Sequence, residues 1–183
     1  MTVFLVFAAL LALVGLWVVL TTNSFIRARN KVDESWSGID VQLKRRHDLV
    51  PNLVATVKGY AAHESATLAA VTQARSAAMS ASTSAERGAA EGQLTGALAG
   101  IQVVAEDYPE LRASESYRAL QGELSELEDQ IQAARRIYNS NVNVYNTIIE
   151  VFPNSLVAGS SHTARALFQL DSPAERGVPA VAF

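Results

Sequence analysis

Apolar positions fill the start of the chain without a break, and once charges begin the apolar residues fall into a heptad rhythm. The first ionisable side chain is Arg27, which leaves 26 residues without one. Within them Val3 to Leu20 reads VFLVFAALLALVGLWVVL. As a helix this run is long enough to cross a hydrocarbon core of roughly 30 Å. Trp17 stands where an interfacial indole belongs. No basic stretch precedes the run and LWVVLTTNS offers no small-x-small cleavage pattern, so it reads as a retained anchor and not as a cleaved signal.

Past the anchor, Trp36, Leu43, Val50 and Val57 recur every seven residues. Ile39, Leu53 and Tyr60 lie three beyond each, except where Arg46 takes the slot. This predicts a helix from about Lys31 to Met79, interrupted at most by Pro51, which has no N–H to give the His47 carbonyl. The period resumes directly after Pro51, so a kink is expected there. Ser76 to Gly92, SAAMSASTSAERGAAEG, is small and polar and predicts the reversal. A second helix follows with Leu94, Leu98, Ile101, Val104 or Ala105, and Tyr108, ending at Pro109.

Ser114 and Glu115 supply an N-cap and a first-turn acid for a third helix. Its seam runs through Tyr117, Leu120, Leu124, Leu127, Ile131, Ala134, Tyr138, Tyr145, Ile148 and Phe152, broken only by Asn141. Pro153 should stop this helix at Phe152. The remainder is irregular, with Leu167, Phe168 and Leu170 able to dock and Val178 to Phe183 extended. The fold class is all-α: a transmembrane anchor over residues 1–26, an antiparallel bundle of long coiled-coil-like helices over 27–152, and an irregular tail over 153–183.

Helix lengths carry a further expectation. At 1.5 Å per residue the three helices would measure roughly 70, 30 and 58 Å, which does not close an up-down-up bundle. Either the third helix leaves its seam uncovered or another copy covers it. Self-association into a homo-oligomer is therefore expected.

Composition narrows the function. A net charge of -3 and a pI near 5.6 argue against a nucleic-acid partner, whose phosphates need a surplus of Lys and Arg. With no cysteine there are no disulfides, no thiolate chemistry and no Cys-ligated metal. Arg27, Arg29 and Lys31 follow the apolar run closely, so the positive-inside bias places the N-terminus outside and the body in the cytoplasm. Lipid contact is assigned to residues 3–20. Ala8 and Ala12 form a small-xxx-small pair, which chance explains in an Ala-rich segment.

Lys44, Arg45, Arg46 and His47 make the only dense basic cluster. Lys44 would sit about 36 Å beyond Leu20, several Debye lengths from lipid. Pairing with the third helix fits better, where Glu123 and Glu128 flank the seam at Leu124 and Leu127. Arg46 lies on the seam itself and needs a carboxylate or carbonyl partner. His47 with Asp48 and His63 with Glu64 invite a metal-dependent hydrolase reading, with His47, His63 and Glu64 as its residues. The spacing fails H-E-x-x-H, because Thr67 stands where the second histidine should, and about 24 Å of helix separates the two histidines. Both read as ordinary exposed or bundle-edge residues. Gly88, Gly92, Gly96 and Gly100 recur every four residues, a spacing that permits close helix contact but in water should mainly weaken a helix. Asn139, Asn141, Asn143 and Asn146 crowd YNSNVNVYN, and Asn141 on the seam suits a register or oligomer device. No catalytic constellation and no cofactor motif is present in the sequence.

Several segments in order, RNKVDESW, IDVQLKRRHDLVPNLVATVKGYAAHE, LTGALAGIQVVAEDYPEL, the ARRIYN run and YNTIIEVFP, resemble the LemA family of bacterial membrane proteins. The resemblance covers most of the chain. It implies an N-terminal membrane helix in the bacterial inner membrane and an antiparallel helical body. It also implies a structural or interaction role without catalytic residues, since family members have no established enzymatic activity and a magnetosome relative is tied to membrane-compartment formation. The chain departs from the family at Thr22, where a tyrosine is usual before Asn23. It departs again in SSHTARALFQL, where Phe168 alone represents an aromatic-rich tail. An anionic-lipid surface sensor, using Arg27, Arg29, Lys31 and Leu156 to Leu170, is the remaining alternative.

Overall fold

In the computed structural model, which describes residues 1–170, every regular element of those residues is helical. The elements are α1 (Thr2–Tyr60), α2 (Ser65–Ser80), α3 (Ser84–Asp107), α4 (Pro109–Ala113), α5 (Glu115–Glu150) and α6 (Ser155–Ala158), closed by a 3₁₀ turn at Gly159–Ser161. The expected extended segment at Val178 to Phe183 lies outside the described residues. Two compact units emerge, and neither is continuous in sequence. Unit 1 joins Met1–Gly38 to Arg136–Leu167, and unit 2 joins Ile39–Arg135 to the segment that begins at Phe168.

In unit 2, α1 buries Ile39, Leu43, Arg46, Val50, Leu53 and Val57, a strict alternation of four and three. The rhythm then slips by one: Ala61 is buried and Tyr60, expected on the seam, is exposed. Helix α1 runs unbroken through Pro51, whose side chain is exposed. The expected single helix to Met79 is instead interrupted at Ala61–Glu64. There the Ala61 N–H still bonds the Val57 carbonyl and the Glu64 N–H bonds the Ala61 carbonyl, making a tight turn. The break frees α2 to lay Leu68, Val71, Ala74 and Ala78 into the same core as Leu94, Ile101, Val104 and Ala105 of α3. Tertiary burial of this kind overrides helix propensity, because alanine and glutamate would by themselves continue a helix.

The reversal expected within Ser76–Gly92 is present but short. Only Ala81, Ser82 and Thr83 leave the helices, and α3 begins with a capping box. The Thr83 hydroxyl oxygen accepts from the Glu86 N–H at 3.2 Å, and the Glu86 carboxylate accepts from the Thr83 N–H at 3.2 Å. Donation from the Ser82 hydroxyl, then from the backbone N–H groups of Thr83 and Ser82, holds the Glu86 carboxyl below its ordinary value. Helix α3 ends at Asp107, and Pro109 opens α4 at its first position, where no N–H is needed.

Helix α5 buries Tyr117, Leu124 and Ile131 in unit 2 and Tyr138, Val142, Tyr145 and Ile149 in unit 1. One line of the seam keeps its step of seven through Leu124, Ile131, Tyr138 and Tyr145, while its companion line slips by one after Tyr138, so Val142 and Ile149 take the places expected for Asn141 and Ile148. A 3.6-residue turn drifts about 20° per heptad against a strict seven-residue repeat, and the slip restores the facing side. The helix ends at Glu150, two residues earlier than expected, and Phe152 is exposed. Within each unit these α5 positions are buried by the chain itself.

In unit 1, α1 presents Thr21, Phe25 and Val32, all buried. Trp36 meets Tyr138 at a ring-centroid distance of 5.3 Å, and Phe25 meets His162 at 4.9 Å. The segment after α6 is held by side chains of α5. The Tyr138 hydroxyl donates to the Ala166 carbonyl at 3.1 Å, and Asn146 clamps Arg165 by accepting from its N–H at 2.8 Å and donating to its carbonyl at 2.9 Å. Above these, residues 2–20 of α1 form an apolar helix long enough to cross a membrane, with none of its most apolar 18-residue window buried.

Candidate functional site

The charged centre of unit 2 is built on one side chain that the sequence placed on an apolar seam. Arg46 is 1 % exposed, and three groups converge on its guanidinium. Its Nη1 donates to Glu128 Oε2 at 2.8 Å and to Thr95 Oγ1 at 3.3 Å, and its Nη2 donates to Glu91 Oε2. His47, also buried, faces the other oxygen of the same carboxylate, with Nε2 2.7 Å from Glu91 Oε1. The Thr95 hydroxyl in turn donates to the Glu91 carbonyl at 3.1 Å, one helical turn back on α3. Arg46 Nε is buried without a hydrogen-bond partner.

Each element contributes for a local reason. Adjacent residues on α1 point about 100° apart, which lets Arg46 and His47 straddle one carboxylate. Glu91 is flanked by buried Gly92 and Ala90, so α3 carries no bulk that would hold the backbones apart. Glu128 reaches in from the edge of α5, its side chain 35 % exposed. It is fixed from behind by Gln132, which donates to Glu128 Oε1 at 3.2 Å, and Gln132 accepts from Arg135 at 2.6 Å.

Electrostatics at the centre favour an ionised Glu91. Burial pushes the Glu91 carboxyl up, but the His47 hydrogen bond, the Arg46 charge and the Arg46 hydrogen bond together outweigh it, and the group sits below its ordinary value. Two carboxylates face one guanidinium. The adjoining cavity of about 330 Å³ is lined by Arg46, Thr95, Gln102, Gln121, Ser125 and Glu128, among others. The cluster can hold α1, α3 and α5 of unit 2 in fixed register. It presents no exposed nucleophile beside a base.

The sequence-expected residues divide clearly. Arg46 has its carboxylate partners, and Glu128 is one of them. Glu123 is not: it is exposed on the rim of a groove with Arg45, Asp48, Asn52, Glu126 and Gln130. Lys44 and Arg45 are exposed. His47, expected at an edge, is buried against Glu91, whereas His63 is exposed in the turn after α1. Glu64 accepts from the Tyr108 hydroxyl at 3.3 Å. His47, His63 and Glu64 are thus engaged separately, and among the described residues no group of three His, Asp or Glu side chains is placed to hold a metal ion.

Leu43, Leu53, Leu124, Tyr138 and Tyr145 are buried, while Trp36 and Leu127 are half-buried. Asn141 is also half-buried and donates to the Lys31 carbonyl at 3.4 Å, an intrachain contact between α5 and α1 of unit 1. Arg27, Arg29 and Lys31 are exposed. Glu91, with its neighbour Thr95, is what sequence reasoning missed. Glu91 lay inside the stretch assigned to the reversal, and a lone carboxylate among small residues, in reach of a seam arginine, was the available signal.

A family model described as LemA family matches residues 35–183. The chain is also 28% identical over 137 residues to Protein LemA of Metamycoplasma hominis, an alignment covering 74% of this chain and 63% of that relative's length. The model match takes in all of Arg46, His47, Glu91, Thr95 and Glu128 and begins beyond the apolar helix. With that match spanning most of its length, the chain belongs to the LemA family.

Proposed function

We propose that the chain is a single-pass membrane protein of the bacterial inner membrane whose helical body acts as a scaffold or interaction platform, with no catalytic activity of its own. The observation that carries this reading is the bare apolar end of α1. Its most apolar 18-residue window has no buried residue, an expanse of apolar surface that water does not tolerate. Arg27, Arg29 and Lys31 follow it, exposed, and favour a cytoplasmic body. The buried Arg46–Glu91–Glu128 cluster supports a structural role, since all its charges are used to hold helices. Self-association rests on α5, where Ile137 and Val144, one heptad apart, are exposed large apolar residues outside the buried seam.

Alkaline washing of membranes from expressing cells tests the anchor. The full chain should stay with the membrane and a chain lacking residues 3–20 should be released. Recovery of the full chain in the wash would end this reading. Native mass determination in mild detergent tests self-association, and a monomer at all concentrations would remove it.

A further inference from the structure

The turn that follows α5 carries apolar side chains that unit 1 leaves open. Val151, Phe152 and Leu156 are 45, 80 and 73 % exposed. Their level along α1 follows from the antiparallel pairing within the unit. Asn141 of α5 bonds the Lys31 carbonyl of α1, and Trp36 meets Tyr138. Ten residues on from Asn141 is Val151, and ten residues back from Lys31 is Thr21. Both helices rise 1.5 Å per residue, so the end of α5 stands level with Thr21, directly beside the last residue of the apolar run, Leu20.

The burial pattern agrees with this placement. Thr21 is buried, and one turn further Phe25 is buried with the His162 ring tilted against it, so the chain after α5 packs on α1 near this height. Phe152, next to Val151, is therefore exposed at the height of the foot of a bare apolar helix, and Leu156 is exposed in the short helix that follows. From Val151 to Leu170 there is no carboxylate, the nearest being Glu150 and Asp171. Nothing in the turn would resist an anionic surface.

We propose that this turn is a second membrane contact, in which Phe152 and Leu156 insert into the acyl–headgroup boundary beside the anchor. The proposal rests on the anchored reading above. Lipid is the occupant because the turn is level with the end of the apolar span, and because exposed aromatic and aliphatic side chains at that height match the chemistry of an interface, with the exposed basic residues Arg27 and Lys31 further along α1. Such a contact would set the tilt and rotation of unit 1 at the surface, which one helix alone leaves free.

The chain has no cysteine, so single cysteines can be labelled cleanly. Full-length Phe152→Cys, Leu156→Cys, Leu11→Cys and Val103→Cys variants, each carrying an environment-sensitive fluorophore, are reconstituted in vesicles of phosphatidylethanolamine and phosphatidylglycerol. Quenching by nitroxide-bearing lipid should be several-fold stronger at 152 and 156 than at the exposed control Val103, with blue-shifted emission at both. If only the Leu11 label is quenched, the anchor stands and the docking proposal is wrong. Should the Leu11 label escape as well, the anchored reading itself fails and takes the proposal with it. Blue-shifted emission at 152 and 156 without lipid quenching would mean a second copy covers the turn, which also overturns it.

Discussion

Arg75 of α2 donates its Nε–H to the carbonyl of His47 at 2.6 Å, and this is the carbonyl from which Pro51 withholds the usual helical donor. The gap left by the proline is filled from another helix, and α1 continues. An unpaired buried carbonyl costs roughly 1–3 kcal/mol, so Arg75→Ala should lose about that much stability. Replacing Pro51 by alanine restores the helical N–H and makes Arg75 redundant. In a denaturant-unfolding cycle the Arg75→Ala loss should shrink sharply in the Pro51→Ala background. Strict additivity of the two changes would contradict the role given to Arg75.

Glu91 and Glu128 share Arg46 unequally, and their substitution separates buried from edge electrostatics. Glu91→Gln leaves a sealed guanidinium short of its main counter-charge, a change that costs about 3–5 kcal/mol at buried pairs. Glu128→Gln acts at a partly open side chain, where solvent screens the pair, and should cost about 1 kcal/mol or less. Thermal unfolding of the two variants in the same detergent gives the comparison. Equal losses would mean that Arg46 is not held chiefly by Glu91.

The same carboxylate predicts a pH window. Its folded value lies below the ordinary 4.5, so the unfolded chain binds the proton more readily than the folded one. The stabilisation from Glu91 is therefore complete above pH 4.5 and drains away as pH falls through that value toward the lower folded one. Other carboxylates titrate nearby, so the readout is the difference between wild type and Glu91→Gln. That difference should be constant near neutrality and narrow on acidification. A gap that persists undiminished at the acid end would refute the assignment.

What the sequence made legible was whatever depends on local period and charge. The seams through Leu43, Val50 and Leu53 and through Leu124 and Ile131 are read directly from spacing. So is the need of Arg46 for a partner, since a seam arginine cannot be left bare. The misses are tertiary. Nothing in AAHE marks the end of α1, because its cause is the burial of Leu68 and Val71 in a core shared with α3. Glu91 looked like loop because small residues carry no period, yet small residues are what lets a charged pair be enclosed. The slips at Ala61 and Val142 follow from a helix that does not keep a strict seven-residue repeat, visible only once the facing helices are in place.

Small residues on α3 also yield the sharpest contrast between neighbouring sites. The glycines spaced by four on α3 were expected mainly to weaken a helix, with close contact as the alternative, and Gly88 and Gly96 divide between the two. A Cβ at Gly88 would overlap the backbone carbonyl oxygen of Gln169 and touch the Phe168 ring, while at Gly96 it would meet nothing within 4 Å. Phe168 is fully buried, so Gly88→Ala must push backbone and not a flexible side-chain end. A loss of about 1–3 kcal/mol is expected, as for overpacking elsewhere, with faster amide exchange at residues 168–170. Phe168→Ala sets the scale for losing the docked ring altogether, at about 3–5 kcal/mol. Gly96→Ala should do the opposite and stabilise by up to about 1 kcal/mol, because alanine relieves the entropy of glycine inside a helix. If Gly88→Ala behaved like Gly96→Ala, the close approach of the Phe168 segment to α3 would not exist in solution.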